Sequence, residues 1–372
     1  MVRSDFGVYV HVQFCASKCD YCAFATWTDR HHLVDAYLRA LRTEIKRAVD
    51  NGLAIADTVF VGGGTPTLVP AEELAAVIAS IPVSDDAEIT VECNPDDVTV
   101  ELLQTYRAAG VNRVSLGVQS MSAHVLASLG RTHDQANVAS AVTAIEASAM
   151  PSFNLDLIYG AVGETLDDWR RTVESALAFD PPHISAYGLT VEAGTPLASQ
   201  LDRHPDDDDQ ADKYELADDL LGGAGLENYE VSNWAAPGHE SRHNLLYWNQ
   251  RDYRGFGCAA HSHASGRRWW NLRTPDRYIE AVTRGESVEA ATETLDAATR
   301  RFEALQLAVR TRDGVPRDAF SSGTLQLLDG LVIEHPTDRG RVVLTRHGRL
   351  MANEVSVRLD STSGRGTTST EQ

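Results

Sequence analysis

The chain has 372 residues, 43% hydrophobic and 23% charged, enough to bury full cores in two or three units. Its formal charge is -20, with Lys only at Lys18, Lys46 and Lys213, a balance that disfavours nonspecific binding to nucleic acid or anionic lipid. No apolar run reaches the ~18 residues of a membrane span, and residues 1–14 lack a signal peptide's basic start and apolar core; the expected location is cytoplasmic, with only peripheral membrane contact left open.

Six β-rich runs, over 8–12, 58–61, 88–93, 113–118, 153–158 and 183–189, alternate with helix-like stretches over 32–49, 70–80, 99–109, 137–148 and 166–178. In the first helix Val34, Tyr37, Leu38, Leu41, Ile45 and Val49 fall at helical spacing, with Gly52 beyond its end. Strict alternation predicts a parallel sheet, so the fold class is α/β, a partial TIM-like (β/α)6 barrel over 1–225. An acid-rich helix follows near 209–221, and the Asp run 206–209 reads as a solvated loop. Residues 222–275 carry Trp234, Trp248, Trp269 and Trp270 with no clean period, and 226–290 reads as an extension of the barrel. Helices over 299–310 and 323–328, a hairpin over 331–344 and a final helix over 348–359 predict a small winged-helix-like unit over 295–360. The Ser, Thr and Gly of 361–372 predict a disordered tail.

Five cysteines are an odd number, and three lie within eight residues, Cys15-Ala-Ser-Lys-Cys19-Asp-Tyr-Cys22, directly after the first strand. In a reducing compartment that density suggests metal binding rather than disulfides. Three thiolates can hold three corners of a [4Fe–4S] cubane and leave one iron open. That iron can be chelated by S-adenosylmethionine, whose reduction can release a deoxyadenosyl radical. Lys18 can offset the thiolate charge. Spacing alone leaves a zinc knuckle open, with His11, His31 or His32 as the fourth ligand.

In a parallel barrel, ligands bind where each strand runs into its loop. The strand ends here carry Tyr9 and His11, then Gly62-Gly63-Gly64-Thr65-Pro66-Thr67, then Glu92 and Asn94, then Gln119 and Asp156. The glycines let backbone approach a ligand, and with no GK[ST] they do not form a P-loop. Glu92 and Asp156 can hold ribose hydroxyls or an ammonium.

These motifs, with Gly110-Val-Asn-Arg-Val-Ser-Leu-Gly-Val-Gln-Ser120, Leu129-Gly-Arg-Thr-His133 and Asn154-Leu-Asp-Leu-Ile-Tyr-Gly160, resemble the radical S-adenosylmethionine family of oxygen-independent coproporphyrinogen oxidases. The resemblance implies one [4Fe–4S] cluster on Cys15, Cys19 and Cys22. It also implies cofactor contacts at Tyr9, Gly63, Gly64, Thr65, Glu92, Gln119, Arg131 and Asp156. Phe24 stands where the decarboxylating branch has a fourth Cys, and the cluster begins at residue 15 without that branch's long leading segment. His243-Asn-Leu-Leu-Tyr-Trp248 matches the haem-binding motif of the family's haem chaperone branch, so 226–290 is expected to bind haem through His243. An imidazole can ligate haem iron, and Tyr247 and Trp248 offer flat apolar faces. Three positions depart from the family pattern: Gln13 for Pro, Ala161-Val-Gly-Glu164 for Leu-Pro-Gly-Gln, and Cys258, expected as a buried thiol, for Pro.

The function implied is a haem chaperone that hands haem to an acceptor protein, a respiratory one among the candidates. The alternative is oxidative decarboxylation of coproporphyrinogen III. A redox-sensing DNA reader is disfavoured, because residues 295–372 carry 11 Arg against 10 acids and no nucleic-acid partner is expected.

Overall fold

The computed structural model describes residues 5–360, so the tail expected over 361–372 lies outside the described residues. β1 (Phe6–Val12) has the period-two pattern of a strand between two environments. Val8, Val10 and Val12 share a core with Tyr37, Leu38, Leu41 and Ile45 of α1 (Val34–Asp50), while Tyr9 looks into a cavity on the other face. The pattern continues through β2 (Ala56–Gly63) and α2 (Ala71–Ile78), then β3 (Val83–Cys93) and α3 (Val100–Ala108). β4 (Arg113–Gln119) is followed by α4 (Ala123–Ser128), which the periodicity does not foresee, and by α5 (Gln135–Ala147). β5 (Ser152–Tyr159), α6 (Leu166–Leu177), β6 (His183–Gly188) and α7 (Asp207–Gly223) complete six βα units.

Strands β1 to β6 are parallel neighbours in chain order, as expected for this α/β class. Side chains from β1 and β6 line the same cavity, so the sheet curves round it. The Asp run is no loop. Asp206 accepts a hydrogen bond from Asp209 N, and Asp207, Asp208 and Asp209 form the first turn of α7, where the helix dipole favours carboxylates.

The aperiodic stretch adds β7 (Glu227–Glu230), β8 (Asn233–Ala235), α8 (Arg242–Trp248), β9 (Asp252–Phe256), β10 (His261–Ala264), β11 (Arg267–Asn271), α9 (Pro275–Arg284) and β12 (Glu289–Thr294). These strands extend both edges of one sheet, ordered β12-β11-β10-β9-β1-β2-β3-β4-β5-β6-β8-β7. Leu226, Trp234, Phe256, Tyr278 and Val282 join the barrel's own core. The link from β8 to β9 must therefore pass from one edge of the six-stranded array to the other. It crosses the N-terminal ends of the strands, where Arg113 donates to the His239 carbonyl and Glu88 accepts from the backbone amides of Arg242 and His243.

A second core, built on Val309, Phe320, Leu328, Val342 and Val355, underlies α10 (Ala297–Ala308), β13 (Val315–Pro316), α11 (Ser322–Leu327), β14 (Val332–Glu334) and β15 (Arg341–Leu344). The final helix expected over 348–359 is two short ones, α12 (Arg346–Leu350) and α13 (Ala352–Ser356). Thr345 caps Gly348 N and starts the first two residues early, and the backbone breaks at Met351. Arg346 and Arg349 reach Asp218 of α7 at 2.6 and 2.7 Å. Among the described residues no helix is long and apolar enough to cross a membrane.

Candidate functional site

One cavity of about 760 Å³ opens within the curve of the sheet. It is lined by Cys15, Cys19 and Cys22, by Tyr9, Gly63, Gly64, Thr65, Glu92, Gln119, Arg131 and Asp156, and by His243. The structure thus brings together the three cysteines, the eight cofactor candidates and His243, whereas His11 and Trp248 are not among the lining residues. The lining residues occupy successive levels. His243 meets Thr58, Tyr9 pairs with Phe60 two residues on, and Gly63, Gly64 and Thr65 lie further along the chain.

At the cysteine end, Cys15 N bonds to the Trp27 carbonyl at 3.2 Å and closes the loop, and the Thr65 hydroxyl points at Cys15 Sγ at 3.8 Å. Burial pushes the Cys15 and Cys22 thiols up; Lys18 acts against this at Cys22. Among the described residues no group of three or more His, Cys, Asp or Glu side chains converges on one ion position. A cubane takes each thiolate on its own corner iron, so three thiols are a donor set that fits it with one iron left open. His11 is committed elsewhere, with Nδ1 to the Tyr9 hydroxyl at 2.9 Å and Nε2 to the Ala25 carbonyl at 3.0 Å. His31 and His32 are exposed.

The glycines have a more specific role than ligand access. A Cβ on Gly62 would stand 2.7 Å from the Glu92 carboxylate, one on Gly63 would stand 2.4 Å from the His11 ring, and one on Gly64 would stand 2.6 Å from the Phe14 carbonyl. Their bareness lets Glu92 and the loop after β1 close in, and Gly63 N donates to Glu92 Oε2 at 3.0 Å. Burial first, then the charge of Asp156, raises the Glu92 carboxyl to about 7. Asp156 is raised by burial too, although Ser115 and Asn154 both donate to it at 2.8 Å. Arg131 donates to Asn94 Oδ1 at 2.6 Å and to the Gly117 carbonyl at 3.2 Å. Gln119 enters the cavity from a left-handed backbone (φ 64°) at a register shift in β4.

His243 lies on a helix, α8. Ser241 caps α8 by accepting from Asn244 N, and His243 is 2% exposed. Thr58 Oγ1 lies 2.7 Å from its Nδ1, the Tyr247 hydroxyl lies 2.8 Å from its Nε2, and Phe60 stacks on its ring at 5.4 Å. Burial lowers its pKa to about 3, so it is neutral. Tyr247 lines the cavity but Trp248 does not; the second flat apolar face is that of Phe60. Thr58, Phe60 and Tyr187 are not among the residues picked from the strand ends. Period-two counting back along β2 from Gly62, and along β6, finds them, since alternate residues share a face.

Residues 9–176 match the Radical SAM superfamily. Over 372 aligned residues the chain is 41% identical to the protein named Heme chaperone HemW of Mycobacterium tuberculosis (strain ATCC 25618 / H37Rv), covering 95% of each. It is 34% identical to the Heme chaperone HemW of Escherichia coli (strain K12), covering 94% of this chain and 96% of that one. Among solved structures, the coproporphyrinogen III oxidase (HemN) of Escherichia coli, a radical SAM enzyme, matches with a TM-score of 0.78. That match covers 95% of this chain and 89% of the other at 22% identity, a likeness of fold.

Proposed function

The chain belongs to the heme chaperone HemW family of the Radical SAM superfamily, and on that premise we propose that it binds haem in the barrel cavity and passes it to an acceptor protein in the cytoplasm. Cys15, Cys19 and Cys22 hold a [4Fe–4S] cluster. Tyr9, Gly63, Gly64, Thr65, Glu92, Gln119, Arg131 and Asp156 hold S-adenosylmethionine against it. When bound, that pair supplies one-electron cleavage of a sulfonium bond. Glu92, oriented by Gly63 N, receives ribose hydroxyls or the ammonium, and Arg131 braces the wall through Asn94. His243 supplies an imidazole for haem iron, and Phe60 and Tyr247 present flat faces to the porphyrin.

The observation that carries this reading is a buried, neutral imidazole in the same cavity as three unpaired thiols. The test is anaerobic reconstitution with iron and sulfide, followed by haem titration. About four irons per chain are expected, with stoichiometric haem uptake that disappears in His243→Ala. Sustained carbon dioxide release from coproporphyrinogen III would overturn it in favour of the oxidase.

A further inference from the structure

A single side chain, Phe60, stands between the imidazole assigned to haem and the phenol assigned to the sulfonium cofactor. Its ring stacks on His243 at 5.4 Å and 27°, and on Tyr9 at 6.4 Å and 22°. No wall divides the cavity at that point, for Tyr9, Phe60, Glu92, His243 and Tyr247 all line it. Its volume of about 760 Å³ is within the range that houses one ligand of drug size. Another pocket among the described residues, beside Leu129 and Leu197, is only about 10 Å³.

We propose that haem on His243 and S-adenosylmethionine on Glu92 occupy this one cavity by turns, each excluding the other. The inference rests on His243 being the haem ligand. A porphyrin centred on an iron at His243 Nε2 is broader than a phenyl ring, so its edge passes Phe60 and enters the space at Tyr9 and Glu92. The Tyr247 hydroxyl stands 2.8 Å from Nε2, where that iron must come, so Tyr247 has to turn aside. Tyr247 already lines the cavity, so it turns within the same limited space. Exclusion is reciprocal by thermodynamic linkage: whatever the cofactor does to haem affinity, haem does to cofactor affinity. Cofactor loading then acts as a release signal for the cargo.

The test uses cluster-loaded protein without air, with the cluster left oxidised so that the cofactor stays intact. Haem is titrated by its Soret band at several S-adenosylmethionine concentrations. The apparent haem Kd is expected to rise in proportion to free cofactor, about tenfold when the cofactor is at ten times its own Kd. Equilibrium dialysis of labelled cofactor against haem should show the same factor. Phe60→Ala, which enlarges the space, should lessen it. Unchanged haem affinity at saturating cofactor, in protein whose uptake is lost in both His243→Ala and His243→Asn, overturns the exclusion and leaves the haem assignment standing. Uptake that survives both substitutions overturns the haem assignment and the exclusion with it.

Discussion

The Tyr247 hydroxyl lies 2.8 Å from His243 Nε2, one turn along α8, while Thr58 on β2 holds the opposite ring nitrogen at 2.7 Å. The imidazole is thus clamped between a fixed strand and a side chain of its own helix. The helix side is the one that can open, because Tyr247 is only half-buried and faces the cavity.

Tyr247→Phe should tighten haem binding. The substitution removes a hydrogen bond that must break before iron reaches Nε2, a bond worth roughly 1 kcal/mol net, so the haem Kd should fall about fivefold. Soret titration at fixed pH measures it. An unchanged or weaker affinity would show that Tyr247 helps hold haem rather than guarding the nitrogen.

S-adenosylmethionine binding should depend on pH through Glu92. Burial, then the Asp156 charge, raises this carboxyl from its ordinary 4.5 to about 7. Only the ionised form attracts the cationic cofactor, so affinity should be about tenfold weaker at pH 6 than at pH 8. Stability runs the other way. Between pH 4.5 and 7 the folded chain keeps a proton that the unfolded chain has lost, so Glu92's contribution falls as pH rises through that window. Equilibrium dialysis and urea midpoints across the range measure both, and Glu92→Gln should flatten both curves.

Gly64→Ala should destabilise the protein by about 1–3 kcal/mol, the usual cost of overpacking a site that cannot yield. The new methyl would meet the backbone carbonyls of Phe14 and Val12 at 2.6 and 2.8 Å. Those same carbonyls accept from Thr65 N and Gly64 N, so the cysteine loop would be pushed away and iron content should fall. Gly222→Ala in α7 is the contrast. Nothing lies within 4 Å of its Cβ, and a gain of about 0.5–1 kcal/mol is expected from helix propensity. Equal urea midpoints for the two variants would refute the argument.

Lys213→Met should cost about 3–5 kcal/mol, as expected when one partner of a buried ion pair is lost. Lys213 is fully buried, with Nζ 2.9 Å from the Glu164 carbonyl, 2.5 Å from Asp209 Oδ2 and 3.4 Å from Glu164 Oε2. Without it the Glu164 carboxylate keeps only the Gly160 amide. The double change Lys213→Met with Glu164→Gln should recover much of the loss, which thermal denaturation of the four proteins would resolve.

Much of the barrel and its cofactor end could be read from local pattern. Alternating strands and helices need only period-two and helical spacing, which neighbouring residues carry between them. Cys15, Cys19 and Cys22 lie on one loop, and Glu92, Gln119 and Asp156 stand at strand ends that any parallel array brings to one rim. The glycines were legible as residues without side chains. The atoms that fill the space they leave, the Glu92 carboxylate and the His11 ring, were not.

By itself, then, the amino-acid order determined the α/β alternation, the thiol spacing and the polar rim, because each depends on residues close along the chain or on a face repeated at a fixed period. Tertiary structure alone decided that β9 pairs in parallel with β1 about 250 residues away, that α8 runs beneath the strands, and that His243 sits between Thr58 and Tyr247. Those contacts join segments whose separation leaves no local periodic trace. They form only because one sheet has two edges to extend and one continuous stretch of chain has to cross between them.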